Sequence, residues 1–334
     1  KTSPKKLLTF QKKMFTQNFK NQTIEIQGQR VGLGESKLIK IPIDRLPTGT
    51  LIEIPVYVFN GKKPGPSILL QGGLHGDEIN SIELVRRMLI DKSYKINQGC
   101  VIVMPLLNIF GFLNLSRNMH GKDVNRSFPG AKNGSLAGRM AYYLMKKLVK
   151  NVDFAIDFHT GGAQRSNFPQ VRYTPQDTRA FQLAKLFNAP LLFESKLIPK
   201  SFRNQCFKNN IPVIVYEGGE SLRLNEHAIQ EGINGTLRVL KHFNMISQTI
   251  EIPENTSILI SKKRKWIRAK VAGLFNPTVK NGAFVLKGQV LGHIMDTYGK
   301  TNFPVKAPDN GYIIAKNNFP IVNMGDALFH FGNA

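Results

Sequence analysis

Short apolar runs that each lead to a polar residue recur along the first two-thirds of the chain. Four of them span residues 67–70, 101–104, 154–156 and 211–216. The polar residues that follow include His75, Asn108, His159 and Glu217. Apolar runs of this length, bounded by glycine, proline or polar residues, are typical of buried β-strands. The pattern therefore predicts four strands that each present a polar group near their ends.

Segments between these runs repeat apolar residues at steps of three and four, which is the spacing of one helix face. Residues 82–90 and 136–149 show this spacing. Strands that alternate with helices predict an α/β fold with a mainly parallel or mixed sheet flanked by helices. In such sheets ligands bind beyond the carboxyl ends of the strands, so His75, Glu78, His159 and Glu217 should converge there.

His75 and Glu78 lie three residues apart just after a predicted strand, and His159 follows another strand. With seven histidines in the chain, a His-x-x-Glu pair alone indicates little. A catalytic zinc, however, needs about three protein ligands and an open position, and two histidines with one glutamate form such a set. We therefore predict one zinc ion per chain, bound by His75, Glu78 and His159.

Hydrolysis of an amide at such a site also needs a base that takes a proton from water and returns it to the leaving amine. Glu217, at the end of the fourth predicted strand, is the candidate, and Glu220 is the alternative three residues later. Asp157 precedes His159 by two residues and has two possible roles. It is either a hydrogen-bond partner of His159 or a structural hydrogen-bonding group, depending on which face of the strand it occupies.

A long polar stretch at residues 116–130 contains Arg117, Asn125 and Arg126. Guanidinium groups bind carboxylates through two parallel hydrogen bonds, a geometry that lysine cannot match. The stretch is therefore either a loop that binds an anionic substrate or a solvated basic loop, and composition alone favours the solvated loop.

Together these motifs resemble the aspartoacylase and succinylglutamate desuccinylase family of the zinc carboxypeptidase superfamily. The matching motifs, in chain order, are His75-x-x-Glu78, Arg117, Asp123-x-Asn125-Arg126-x-Phe128-Pro129-Gly130, Asp157-x-His159-Thr160-Gly161 and Glu217. The resemblance covers roughly residues 35–330. It implies a zinc carboxypeptidase-like fold, with zinc on the three residues already named.

The resemblance also implies roles for other residues. Glu217 would be the general base, Arg117 would polarise the scissile carbonyl, and Asn125 and Arg126 would grip a substrate carboxylate. Arg165 falls where related deacylases often carry an arginine, which implies a weaker substrate contact. The substrate tyrosine of the superfamily's peptidases has no equivalent that we can place, and substrates vary widely among these enzymes.

Length and composition indicate more than one domain. The chain has 334 residues, of which 42% are hydrophobic, enough for a sizeable core. Short strands punctuated by glycine and proline replace the helical patterns after residue 250. We predict a basic N-terminal extension at 1–36, a zinc-dependent catalytic domain at 37–250 and a smaller C-terminal all-β domain at 251–334.

The C-terminal domain resembles a biotinyl/lipoyl-like barrel-sandwich, a module that deacylases of this family often carry. The segment lacks the Met-Lys-Met hairpin that would accept biotin. We therefore expect it to be structural or to form one wall of the catalytic cleft.

The charge is strongly positive: 46 lysines and arginines against 22 acids, a net +24. Such a charge attracts polyanions, acidic membranes or anionic substrates, although a solvated surface is the commoner explanation. The first twenty residues contain six lysines and no acid. This composition predicts one of two roles for the segment: contact with a membrane surface or a polyanion, or docking onto the body of the protein. The interleaved aromatics of a nucleic-acid platform are missing as a module, so specific nucleic-acid binding is not expected.

Other features bear on the compartment. Cys100 and Cys206 lie far apart and indicate buried, reduced thiols rather than a disulfide framework. No apolar run approaches membrane-spanning length. A cytoplasmic location is the default expectation, and export stays open because the sequence begins at Lys1 rather than Met.

The combined prediction is a zinc-dependent deacylase that cleaves the amide bond of an N-acyl amino acid or a similar small anionic amide. One alternative is a metallocarboxypeptidase that uses Asn125 and Arg126 for a peptide C-terminus, although a β domain over the cleft would favour small substrates. The other is a metal-binding module without catalysis, which would have no need of Glu217.

Overall fold

The structure is a computed structural model that describes residues 23–91, 94–260 and 263–334. The basic segment of the first twenty residues, and the contacts predicted for it, lie outside these ranges. The α-helices are α1 (Ile79–Ile90), α2 (Ile109–Leu113), α3 (Leu136–Tyr143), α4 (Thr178–Phe187), α5 (Phe202–Lys208) and α6 (Glu226–His242).

Five strands precede α1, strands and helices are then interspersed as far as α6, and only strands follow α6 among the described residues. The strands are β1 (Ile24–Ile26), β2 (Gln29–Val31), β3 (Ser36–Arg45), β4 (Leu51–Asn60), β5 (Lys63–Gln71), β6 (Gln98–Met104), β7 (Phe154–Gly161), β8 (Arg165–Tyr173), β9 (Leu191–Glu194), β10 (Val213–Glu220), β11 (Ile258–Leu259), β12 (Arg264–Arg268), β13 (Gly273–Pro277), β14 (Phe284–Val285), β15 (Val290–Met295), β16 (Asn302–Lys306), β17 (Gly311–Asn317), β18 (Ile321–Val322) and β19 (Ala327–Gly332).

One mixed sheet dominates the described part of the chain. Its centre is the four parallel strands β6, β5, β7 and β10, which correspond to the four predicted apolar runs, although β10 begins two residues after the start of the fourth run. Antiparallel β4 and β3 extend the sheet beyond β6, and antiparallel β8 extends it beyond β10. The α/β fold class predicted from the alternation of patterns is confirmed.

Apolar side chains cover both faces of this sheet. On one face they come from α1, α4 and α6, and on the other from α3, α5 and the strands β1 to β4. Parallel strands that are covered on both faces read as continuous apolar runs, which explains why the four central strands stand out in the sequence. The hairpin of β1 and β2 falls within the predicted N-terminal extension, yet Ile24, Ile26 and Val31 are buried in this core.

Two predicted elements differ in extent from those observed. The helix predicted at 136–149 is α-helical only as α3, and it continues as a wider π-helical turn over residues 144–148. Leu144, Met145 and Leu148 remain buried through this turn, so the change in winding keeps the apolar face on the core. The third and fourth central strands also run further than the apolar residues alone, because β7 and β10 continue through polar positions.

The C-terminal strands belong to two sheets. Strands β13, β15, β16 and β18 form a separate antiparallel sheet, while β12, β14, β17 and β19 join the large sheet through the pairing of β17 with β8. Leu191 and Phe193 from β9 form a small apolar cluster with Ile260 and Ile314 from the C-terminal region. The C-terminal region is therefore joined by backbone hydrogen bonds to the strand that borders β10.

Candidate active site

The loop between β5 and α1 carries His75 and Glu78. It turns through Gly73, which has φ of +58°, a conformation that L side chains rarely adopt. It then passes Gly111 so closely that a Cβ on Gly76 would lie 2.0 Å from the Gly111 carbonyl carbon. Glu78 is the residue directly before the first turn of α1. Glycine at both positions is thus what lets the loop turn back across the end of the sheet.

His75, Glu78 and His159 form the centre of the site. Nδ1 of His75 lies 2.7 Å from Oε1 of Glu78, and Nδ1 of His159 lies 2.7 Å from Oε2. One ligand atom from each of the three residues lies within 4.8 Å of the others, and all three side chains are buried. The structure thus brings together the three residues that were predicted to converge, and the group could hold a metal ion.

Each imidazole also contacts a second carboxylate through its other nitrogen. Nε2 of His75 lies 3.1 Å from Oδ1 of Asp123, and Nε2 of His159 lies 3.0 Å from Oδ2 of Asp157. Asp157 and His159 are two residues apart on β7 and so point to the same side of the strand. Such carboxylates fix the orientation of a metal-binding imidazole. Of the two readings of Asp157, the contact with His159 is the one observed.

The charges in this group stabilise one another. Burial raises the pKa of Glu78, but His75 and His159 outweigh it and hold the pKa well below its usual range. Burial lowers the pKa of His159, yet Asp157 and Glu78 bring it well above the ordinary value. The group therefore favours an ionised Glu78 between the two rings.

Glu217 lies beside this group rather than in it. It is within β10, directly opposite His159 in the parallel register of β7. Its Oε2 accepts a hydrogen bond of 2.5 Å from Asn167 Nδ2, and its Oε1 lies 2.9 Å from Arg172 Nη1. The alternative, Glu220, accepts instead from Asn318 Nδ2 at 2.7 Å.

The predicted arginine loop reaches the same place. Arg117 donates from Nη1 to Oε1 of Glu78 and from Nη2 to Oδ2 of Asp123, both at 3.2 Å. Asn125 Oδ1 accepts from the Phe202 backbone N–H at 2.8 Å, which ties the loop to the start of α5. Arg126 is exposed, and its Nη1 donates to the Asn125 carbonyl. The loop is ordered by these contacts.

All eight predicted site residues line a single cavity of about 390 Å³. They are His75, Glu78, Arg117, Asn125, Arg126, His159, Arg165 and Glu217. Glu220 is not among the described residues that line it. The volume lies within the range of sites for small molecules.

Several lining residues had no signal in the sequence. Arg203 on α5 is buried, and its Nη2 donates to the carbonyls of Ser195 and Lys196. Its Nη1 has no hydrogen-bond partner among the described residues, and burial, followed by the neighbouring Arg172, lowers its pKa to about 10. Trp266, from β12, also lines the cavity. Strand β8, which carries Arg165 and Arg172, was not predicted either. Its buried polar side chains interrupt the alternation of apolar and polar residues that would have indicated a strand.

Comparison with known proteins identifies the family to which the chain belongs. A model of the succinylglutamate desuccinylase/aspartoacylase catalytic domain matches residues 64–243, which is more than half of the chain. The matched segment runs from β5 to the end of α6 and includes every lining residue except Trp266. The chain belongs to this family, and the resemblance seen in the motifs is confirmed.

Individual relatives extend the likeness beyond the catalytic domain. The chain is 29% identical over 332 residues to an N-alpha-acetyl-L-2,4-diaminobutyric acid deacetylase from Halomonas elongata, with 92% of each chain covered. The product-bound ectoine utilization protein EutE (DoeB) from Ruegeria pomeroyi has a similar fold, with a TM-score of 0.78, 23% identity and coverage of 90% and 94%. A succinylglutamate desuccinylase/aspartoacylase from Rhodobacter sphaeroides gives a TM-score of 0.77 at 24% identity, with coverage of 89% and 95%.

Proposed function

We propose that this protein is a zinc-dependent hydrolase that cleaves the amide bond of an N-acyl amino acid or a similar small anionic amide. The observation that carries the proposal is the grouping of His75, Glu78 and His159 beside Glu217 in a cavity lined by arginines. Membership of a family named for two deacylases, and the likeness to a deacetylase of an acetylated diamino acid, support this type of reaction.

The three grouped residues suit zinc. Two imidazoles and a carboxylate are the ligand set of several zinc hydrolases, and Asp123 and Asp157 supply the outer contacts that such imidazoles usually make. When bound, zinc lowers the pKa of water towards neutrality and polarises a carbonyl oxygen. We expect one zinc ion per chain.

Glu217 is the general base of the proposal. Its carboxylate takes a proton from the attacking water and returns it to the nitrogen of the leaving amine. Asn167 and Arg172 hold it in one orientation, and the register of β10 with β7 keeps it next to His159. A base held in this way needs little reorganisation when the proton moves.

Arg117 stabilises the negative charge that develops on the carbonyl oxygen as water adds. Its guanidinium is placed by Glu78 and Asp123 and faces the cavity. Donors that are fixed before the reaction stabilise an oxyanion better than mobile ones do.

Asn125 and Arg126 bind a carboxylate of the substrate, and Arg165 contributes a weaker contact. Because Asn125 Oδ1 already accepts from Phe202, its amide nitrogen is the group that can donate to the substrate. The exposed Arg126 can present its planar guanidinium at the mouth of the cavity. A cavity of about 390 Å³ suits a small acylated amino acid.

The decisive experiment compares hydrolysis of N-acyl amino acids with hydrolysis of peptides by zinc-loaded protein. The panel includes Nα-acetyl-2,4-diaminobutyrate, N-acetyl and N-succinyl amino acids, and peptides with free C-termini. We expect turnover of one or more acylated amino acids and little turnover of peptides, with no turnover after chelation. Preferential cleavage of peptides would establish the metallocarboxypeptidase alternative, and no cleavage of either class would favour the non-catalytic one.

A further inference from the structure

The only tryptophan of the chain is at the wall of the cavity. Trp266 is contributed by β12, which pairs with β19, and β19 in turn pairs with β17. Because β17 pairs with β8, the strand that holds Arg172 against Glu217, this tryptophan is attached through sheet hydrogen bonds to the site itself. The C-terminal region therefore supplies part of the cavity lining.

The Trp266 ring packs against two groups. The His330 ring lies 4.9 Å away between centroids and is nearly parallel, at 17°. The Arg165 guanidinium carbon lies over the indole, 5.3 Å from its centre. A cation over an indole face is attracted by the ring electrons, and the attraction grows as water is removed.

Phe193 also packs against His330. The two rings make an edge contact at 6.3 Å between centroids, and Arg172 and Arg264 lie over the Phe193 ring. Burial, followed by the charges of these two arginines, lowers the pKa of His330 to about 3. A neutral imidazole at ordinary pH stacks on the indole without repelling the neighbouring cations. The stack with His330 therefore helps to fix the indole that Arg165 contacts.

Arg165 is distinguished among the arginines of the cavity by its contact with the indole. Arg117 is paired with Glu78 and Asp123, and Arg172 is paired with Glu217. Arg165, like Arg126 and Arg203, has no carboxylate partner among the described residues, and its Nε is buried without a hydrogen bond. The indole is therefore the group that stabilises the charge of Arg165 at the cavity wall.

We propose that Trp266 is a positioning residue that sets substrate specificity by holding the Arg165 guanidinium over the cavity. The inference rests on the proposed function, and it adds that the C-terminal wall selects for a negative charge at the end of the substrate that meets it. An acidic side chain on the amino acid or a dicarboxylic acyl group would supply this charge.

The kinetic test uses pairs of substrates that differ by one charge. N-acetylglutamate is compared with N-acetylglutamine, and N-succinylalanine with its succinamoyl analogue. The wild-type protein should prefer the acid in at least one pair. Trp266→Leu should reduce that preference about 3- to 10-fold, the range expected for loss of a cation–π contact. The change should appear in KM rather than in kcat, because Trp266 contacts Arg165, a substrate-binding residue of the proposal, and acts through it.

Two further variants distinguish positioning from folding. Trp266→Phe keeps an aromatic face for Arg165 and should retain most of the preference. Phe284→Ala removes an exposed C-terminal ring that does not line the cavity, and it should leave the preference unchanged. An unchanged preference in Trp266→Leu for both pairs, or no preference in the wild-type protein, would overturn the inference.

Fluorescence separates this inference from the proposed function, because Trp266 is the sole indole and binding requires no turnover. Emission should change on addition of the acid of the selected pair and not of its amide, and Arg165→Lys should abolish the response. If nothing is hydrolysed but emission responds to the acid and not to its amide, the proposed function fails, while selective binding of the negative charge at the C-terminal wall stands. If hydrolysis proceeds while emission responds to neither compound, the inference fails alone.

Discussion

The two walls of the cavity are built on different principles. On the side of the central strands, His75 and His159 each touch two carboxylates, and the polar atoms are fixed by short hydrogen bonds. On the C-terminal side, Arg165 and His330 pack on the faces of Trp266. Directional contacts of the first kind suit a reaction that needs exact geometry. Stacked groups of the second kind suit recognition of a charge, so chemistry and selectivity should be separable by mutation.

The largest expected effect is on the side that carries the chemistry. Glu217→Gln removes the base but keeps the shape of the side chain, so we expect kcat to fall on the order of 10²-fold or more. The zinc content should stay the same, because Glu217 is beside the metal group rather than in it. Steady-state kinetics with elemental analysis measure both. Glu220→Gln is the matched control, and near-normal turnover of Glu217→Gln would refute the assignment.

Arg117 tests whether the oxyanion is stabilised from the same wall. Replacing it by Gln should lower kcat about 10- to 100-fold with a smaller change in KM, because the contact strengthens only in the transition state. Arg117 also contacts Glu78, so the zinc content of the variant must be measured alongside. A rise in KM alone would show that Arg117 binds the ground-state substrate instead.

Arg126 tests recognition at the mouth of the cavity. Arg126→Lys keeps the charge and loses the fork of two donors, so KM for carboxylate-bearing substrates should rise about 5- to 10-fold. Esterified or amidated analogues should be affected much less. Equal losses on charged and neutralised substrates would argue against a carboxylate contact, and with it against a small anionic amide as the substrate.

The smallest expected effect concerns the stability of the C-terminal wall. The pKa of His330 is about 3 in the folded protein, against about 6.5 for an exposed histidine. As the pH falls below 6.5, the unfolded chain takes up a proton that the folded protein does not, so the free energy of unfolding decreases. Between pH 7 and pH 5 the free energy of unfolding should therefore fall less in His330→Phe than in the wild-type protein, by up to about 2 kcal/mol. Urea denaturation at the two pH values measures this difference, and identical losses would contradict it.

The difference between the two walls of the cavity also explains which of their features could be predicted from the sequence. Strands β5, β6, β7 and β10 are covered on both faces, so their apolar runs were visible. The polar residues near the ends of β5, β7 and β10 line one cavity, whereas Asn108 after β6 caps the start of α2. Parallel strands bring their carboxyl ends to the same edge, which is why residues as distant as His75 and Glu217 could be placed together.

The second wall could not be predicted in this way. It depends on the pairing of β17 with β8, and nothing local to either segment specifies a partner so distant in sequence. Trp266 and His330 are adjacent because β12 pairs with β19. Both read in the sequence as ordinary residues of short strands. The C-terminal segment was predicted as structural or as one wall of the cleft, but the residues that form this wall were not named.

Removal of all metal from the protein, followed by measurement of turnover of an N-acyl amino acid as zinc is added back, tests whether the reaction depends on zinc. We expect the stripped protein to be inactive, and we expect the rate to rise with zinc and to saturate at one ion per chain. His159→Ala should recover no activity over the same titration, because it lacks one of the three ligands. Full turnover by the stripped protein, or recovery of His159→Ala at one zinc per chain, would show that the reaction does not depend on zinc held by these three residues.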